Sequence, residues 1–306
     1  LLNSSSFDEI EKLIKDALVL GTDNNFGHDF HKDALRRFEL AARDPITTGW
    51  SQMDEICKGG LGNSELGVVV APTGAGKSMV LVHLATQALL LGKTVVYYTL
   101  ELKDTTVGQR FDCCLTKTHL GEHKQKKEEI LKKIEDIDGT LIIKEYPTKS
   151  ASVQTIKNHI EKLRKRGINP DIILLDYADL LRPVRSSSEK RHELEETYEG
   201  LRGLAQSYDI PCWTASQTNR GGLNAEVITM EAISEAFNKC FVADFIFSLS
   251  RTTLDKQSNK GRVFIAKNRN GPDGIVFDAH VDWSDVTINI LDRNESVEKM
   301  QTTTEA

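Results

Sequence analysis

Between Leu66 and Ser78 the chain reads Leu-Gly-Val-Val-Val-Ala-Pro-Thr-Gly-Ala-Gly-Lys-Ser. Few segments restrict a fold as tightly. Leu66–Ala71 is a short apolar run fit for a buried strand. Gly74 and Gly76 follow, and then Met79, Val80, Leu84, Ala85, Ala88 and Leu91 recur at helical spacing until Gly92. Strand, glycine loop and a helix beginning near Lys77 are the layout of a P-loop, a phosphate cradle for a nucleoside triphosphate. Its residues here are Thr73, Gly74, Ala75, Gly76, Lys77 and Ser78. The two glycines let successive N–H groups turn toward phosphate oxygens. Lys77 is expected at the β- and γ-phosphates and the Ser78 hydroxyl at Mg2+. The first motif position is Ala71 instead of Gly, which is tolerable where that residue ends the strand in a β conformation. A glycine turn that binds nothing is the plainer alternative; the strand before it and the helix after it favour the motif.

The 306 residues leave room for one large α/β domain and an appendage. With 27% charged and 39% hydrophobic residues the composition is that of an ordinary globular protein. No apolar run approaches the ~20 residues that cross a bilayer, so no membrane role is expected. The chain starts at Leu1 without Met or a signal-peptide pattern and reads as a fragment lacking an N-terminal part. Its five Cys have no C-x-x-C spacing, which argues against a zinc site or disulfide framework and fits a reducing, cytoplasmic setting. His28 and His31 lack a further ligand set. A net charge of −6 argues against a chain coated in nucleic acid, but not against one that grips it through local loops.

Residues 1–20 read as an isolated amphipathic helix, with Ser6 and Glu9 as a capping box and Phe7, Ile10, Leu13, Ile14, Ala17 and Leu18 on one face. Gly21 ends it, and a linker runs to residue 29. A lone helix of this length is marginal in water, so its apolar face is expected to dock on its own domain or a neighbouring subunit. A second helix is predicted over 30–43. From the P-loop onward strands alternate with helices: strands at 94–99, 140–144, 171–175, 211–215, 243–249, 262–266 and 274–279, and helices near 77–91, 105–118, 124–137, 152–166 and 189–208. Apolar strands between amphipathic helices imply a mostly parallel central sheet covered on both faces, and the late strands imply an antiparallel C-terminal extension. The main domain is expected over 30–292, followed by a disordered tail at 293–306.

Triphosphate hydrolysis needs a carboxylate near the metal, a base, a γ-phosphate sensor and a cation for the transition state. Asp176 ends the apolar run from Asp171 and is the candidate Mg2+ carboxylate. Glu101 ends the strand after the P-loop helix and is the candidate general base. Gln217 ends another strand and could sense the γ-phosphate. Lys267 and Arg269 occupy alternate positions beyond 262–266; Arg269 would suit a transition-state cation with Lys267 beside it, in trans if the subunits form a ring, and a solvated hairpin tip is the plainer alternative.

Together these motifs resemble the RecA-like core of the DnaB-type replicative DNA helicases, most of all their phage branch. Five blocks carry the resemblance, in the family's order: Thr48-Gly-Trp-x-x-Met-Asp54 with the P-loop, Tyr98-Thr-Leu-Glu101, Leu175-Asp-Tyr177, Ser216-Gln-x-Asn-Arg220 and Lys267-Asn-Arg-Asn-Gly271. Ala71 also looks like this family. The resemblance implies a RecA-like P-loop NTPase core, ATP and Mg2+ as cofactors, and a homo-hexamer moving 5′ to 3′ on single-stranded DNA. It implies trans action for Lys267 and Arg269, a linker helix at 6–20, a missing N-terminal collar domain, and a primase and a helicase loader as partners. If phage-encoded, the protein would work in the host cytoplasm. DNA is expected at two loops, 182–192 and 219–239, through Arg182, Arg185, Lys190, Arg191, Arg220, Gly222 and Lys239. Where many relatives carry Arg-Glu-Ser, this chain has Ser234-Glu-Ala236. A RecA- or KaiC-like ATPase without helicase activity shares the Thr48-Gly-Trp lead-in and the P-loop; the Lys267–Gly271 block and the leading helix favour the helicase. Intact Lys77, Ser78, Glu101 and Asp176 argue against a non-enzymatic scaffold.

Overall fold

The computed structural model describes residues 27–35, 38, 43–183, 190–218, 227–228 and 241–291. The chain divides into two units, one ending at Ala42 and one starting at Arg43. In the first, residues 30–35 form a turn and Phe38 is helical within the helix expected over 30–43, whose residues 36, 37 and 39–42 lie outside the described ones. Asp29 tightens the turn by accepting the backbone N–H groups of His31 and Lys32. The predicted helix at 1–20 and the tail at 293–306 lie outside the described residues.

The second unit is built on a nine-stranded sheet: β1 (Leu66–Ala71), β2 (Thr94–Thr99), β3 (Thr140–Glu145), β4 (Ile172–Asp176), β5 (Cys212–Gln217), β6 (Phe245–Ser250), β7 (Lys260–Asn268), β8 (Val276–Asp282) and β9 (Thr287–Ile290). Their order across the sheet is β3-β2-β4-β5-β1-β6-β7-β8-β9. From β3 to β6 all neighbours are parallel, and from β6 onward they are antiparallel. The mixed sheet thus has the predicted form. β9 was not predicted: it is four residues long and only alternate positions are buried.

Every β1 residue is buried, and successive side chains serve opposite layers. Val69 and Ala71 pack toward α2 (Lys77–Leu90) and α3 (Asp104–Thr116); Leu66, Val68 and Val70 pack toward α5 (Val153–Arg164) and α6 (Lys190–Tyr208). A shorter helix, α4 (Lys127–Glu135), follows α3, and α1 (Ser51–Ile56) and α7 (Thr253–Gln257) are single turns that hydrophobic spacing did not reveal. Gly67 is obligatory for packing: a Cβ there would lie 2.4 Å from the Trp213 ring on neighbouring β5. The four described cysteines, Cys57, Cys113, Cys114 and Cys212, are buried free thiols.

Crossovers between parallel strands bring the ends of β1, β2, β4 and β5 to one level. Thr99 is opposite Asp176, and Ala71 is opposite Gln217. Ligands bind outside the carboxyl ends of such strands, where the strand order reverses.

Candidate nucleotide site

The loop after β1 turns through Gly74 at φ +74° and Gly76 at φ +108°, both in the left-handed region. A Cβ on Gly76 would lie 2.1 Å from the Trp283 ring, so backbone conformation and close approach both demand glycine. Lys77 opens α2, and its N–H groups face the loop. The Lys77 ammonium donates to the carbonyls of Ala71 at 3.3 Å and Pro72 at 3.2 Å. A triphosphate would draw it off these neutral acceptors, since a charged acceptor makes the stronger bond.

Thr73, Gly74, Gly76, Lys77, Ser78, Met79, Glu101, Arg110, Tyr177, Gln217 and Trp283 line one cleft of about 270 Å³. The P-loop, Glu101 and Gln217 predictions therefore converge in space. Gln217 donates to the Thr73 hydroxyl at 2.6 Å and accepts from the Tyr177 hydroxyl at 3.3 Å. Its backbone N–H donates to Asp179. These bonds join the P-loop to the strand end of β4. Glu101 is exposed just beyond β2, free to meet water.

Asp176 is completely buried at the end of β4. Burial pushes its carboxyl above the usual range, opposed by a hydrogen bond with Ser78. The Glu101 charge adds to the rise, and Arg110 and Tyr97 act against it. Its Oδ1 is buried with no hydrogen-bond partner. A carboxylate in that condition beside a serine hydroxyl fits a divalent cation, which would satisfy the orphaned oxygen and favour the charged form.

Lys267 and Arg269 are not in this cleft. Asn268 pairs with Phe245, and Phe245 is level with Gly67 at the start of β1. Ala71 lies four residues further along, about 13 Å at the usual rise. Both cations therefore stand at the amino end of the parallel strands, opposite the cradle. Lys267 donates to the Phe241 carbonyl and lies 4.4 Å from the Phe241 ring centroid. Arg269 Nη1 is 2.9 Å from Asp244. The intervening residues anchor this tip: Asn268 donates to the Ile56 carbonyl at 2.8 Å, Asn270 to Glu65 at 2.9 Å, and a Cβ on Gly271 would strike the Ile56 carbonyl at 2.1 Å.

Of the predicted DNA residues, Arg182 and Arg191 are exposed, and Arg191 pairs with Glu195 one turn along α6. Lys190 opens α6. Arg185, Arg220, Gly222 and Lys239 lie outside the described residues.

Arg110 and Trp283 also line the cleft and escaped the sequence reading. Arg110 looks like an ordinary polar position of an amphipathic helix. Trp283 follows a predicted strand among polar residues. No periodicity flags either, because only the fold brings α3 and the β8–β9 turn to the P-loop.

Comparison with known proteins agrees with this geometry. The family described as the DnaB-like helicase C terminal domain matches residues 45–283. The DnaB-like replicative helicase of Enterobacteria phage T4 is 28% identical over 261 residues, covering 79% of this chain and 54% of that protein. A probable plasmid replicative DNA helicase of Chlamydia psittaci is 27% identical over 195 residues, covering 61% and 42%. One solved ATPase domain superposes with TM-score 0.74 at 16% identity, covering 87% of this chain and 100% of its own. A DnaB-like replicative helicase, solved with its interactions with primase, superposes with TM-score 0.71 at 17% identity, covering 93% and 71%. These two likenesses show a shared fold. The chain spans about half the length of the curated relatives it matches.

Proposed function

Because the chain belongs to the DnaB-like helicase C-terminal domain family, we propose that it is the ATP-driven motor of a replicative DNA helicase. In this reading it works as a homo-hexamer that moves 5′ to 3′ along single-stranded DNA, in the cytoplasm of the cell or phage host. A primase and a loader are its partners. Among the described residues no helix is long and apolar enough to cross a membrane.

One observation carries the reading: Lys77, Ser78, Glu101 and Gln217 line one cleft with Asp176 behind it, while Lys267 and Arg269 stand at the other end of the sheet. Each chain offers a cradle at one end and a cation pair at the other, so two adjoining copies complete one site. Backbone N–H groups of the P-loop and Lys77 bind the phosphates. Ser78 and Asp176 would hold Mg2+, which would supply positive charge against the phosphates. Glu101 orients the attacking water and draws its proton. Gln217 holds the γ-phosphate through its amide and passes its loss to Tyr177 and Asp179. The adjoining copy's Arg269 and Lys267 stabilise the transition-state charge. The cations within 182–192 and 219–239 grip the DNA backbone without reading sequence.

The test is ATP turnover with and without oligo-dT, then unwinding of a fork with a 5′ single-stranded tail. DNA-stimulated turnover, lost in Lys77→Ala, is expected. A hexamer whose turnover ignores DNA overturns the reading.

A further inference from the structure

The cations at the far end of the sheet are organised around one carboxylate. Asp244 directly precedes β6, and its side chain is 6% exposed. It accepts the Leu66 backbone N–H at 3.0 Å, Arg202 Nε at 3.2 Å and Arg202 Nη2 at 3.0 Å. Arg269 Nη1 reaches it at 2.9 Å. Main-chain bonds repeat the pattern: the Asp244 N–H donates to Leu66 O at 2.8 Å, and Asp244 O accepts the Arg269 N–H at 3.0 Å. Asp244 thus holds Arg269 by backbone and side chain together, and ties it to the strand that carries the P-loop.

Two guanidinium groups on one carboxylate leave a surplus positive charge. Arg202 engages the carboxylate through two nitrogens and its side chain is 26% exposed; Arg269 uses one and is 45% exposed. Arg269 therefore keeps several of its donors open at the rim. A surplus charge presented by a half-open, tethered guanidinium suits an oxyanion arriving from outside the chain.

We propose that Asp244, braced by Arg202, is the positioning residue of Arg269: it fixes the guanidinium where it meets a phosphate bound to an adjoining copy. This rests on the reading of Arg269 as a trans cation. Without the Asp244 charge, Arg202 and Arg269 repel each other and the Arg269 side chain recovers its rotamer freedom. A displacement of about 1 Å at a reacting group lowers turnover by about 100-fold.

The experiment compares Asp244→Asn, Arg269→Ala and the double variant in assembled, DNA-bound protein. It reads kcat, KM, affinity for a fluorescent ATP analogue and melting temperature. Asp244→Asn should lower kcat by about 10- to 100-fold with analogue affinity within about twofold. Adding Arg269→Ala to Asp244→Asn should lower kcat no further than Arg269→Ala alone. Unchanged kcat in Asp244→Asn beside an inactive Arg269→Ala overturns the proposal, as does a parallel loss of analogue affinity. Full turnover by Arg269→Ala removes the trans reading itself, and the proposal with it. If Asp244→Asn does not fold, Arg202→Met, which keeps the Leu66 bond, must show the same kcat-specific loss; normal kcat there overturns the proposal.

Discussion

His83 shows how one buried side chain can govern acid stability. Its Nε2 lies 3.0 Å from the Thr48 carbonyl, and its ring stacks on Trp50 at 4.4 Å between centroids. Burial pulls its pKa down to about 3. The unfolded chain takes up the proton below about pH 6.5, whereas the native protein resists until about pH 3, so stability is full above pH 6.5 and falls with acidity. Between pH 6.5 and 5 this group accounts for a loss of up to about 2 kcal/mol. Urea unfolding at both pH values should show His83→Gln losing less than the wild type. Gly76 makes a second case. Gly76→Ala strains a left-handed residue, by about 1–3 kcal/mol, and drives a methyl into Trp283. ATP affinity, measured by fluorescence titration, should fall by about tenfold or more. A glycine at this place was legible from the motif. The Trp283 ring against it was not, because that residue arrives from the far end of the chain.

At the scale of elements, the β1–β5 pair sets how firmly the cradle is held. Gly67 and Trp213 are cross-strand partners in register, and the indole fills the space a Cβ would need. Gly67→Ala should destabilise by about 1–3 kcal/mol through overpacking, and Trp213→Ala by about 3–5 kcal/mol through the cavity left. Combined with Trp213→Phe, Gly67→Ala should cost less than alone, a coupling that a denaturation cycle would reveal. Predicted strands landed close to their observed places because they are continuous apolar runs: Ile172–Asp176 against 171–175, and Cys212–Gln217 against 211–215. Amphipathic α5 likewise lies within the predicted 152–166, capped by Ser152 and Thr155. β9 and the short helices α1 and α7 left too little periodicity to recognise. They exist because neighbouring elements supply the buried face.

For the whole molecule, the proposed trans role of Lys267 and Arg269 has a kinetic consequence. A site shared between copies makes turnover per chain rise with chain concentration and level off once particles assemble. Phosphate release measured beside light scattering should show both changes together. Arg269→Ala should assemble and bind nucleotide like the wild type yet turn over at least about 1000-fold more slowly, the scale of a trans arginine.

Local chemistry in the sequence determined the P-loop, the order of the longer strands and helices from β1 to β8, and the places of Glu101, Asp176 and Gln217 at or just beyond strand ends. Each is written in a few consecutive residues, where hydrophobic period, glycine and a terminal polar group suffice. Tertiary structure alone decided which of these share a cleft and which stand apart. It added Arg110 and Trp283 to the cradle and set Lys267 and Arg269 at the opposite end of the strands, with Asp244 beneath Arg269. Those relations follow from strand order and direction: β7 runs antiparallel to β6 and so carries its last residues away from the nucleotide. That is a property of pairing across the sheet, and no run of neighbouring residues contains it.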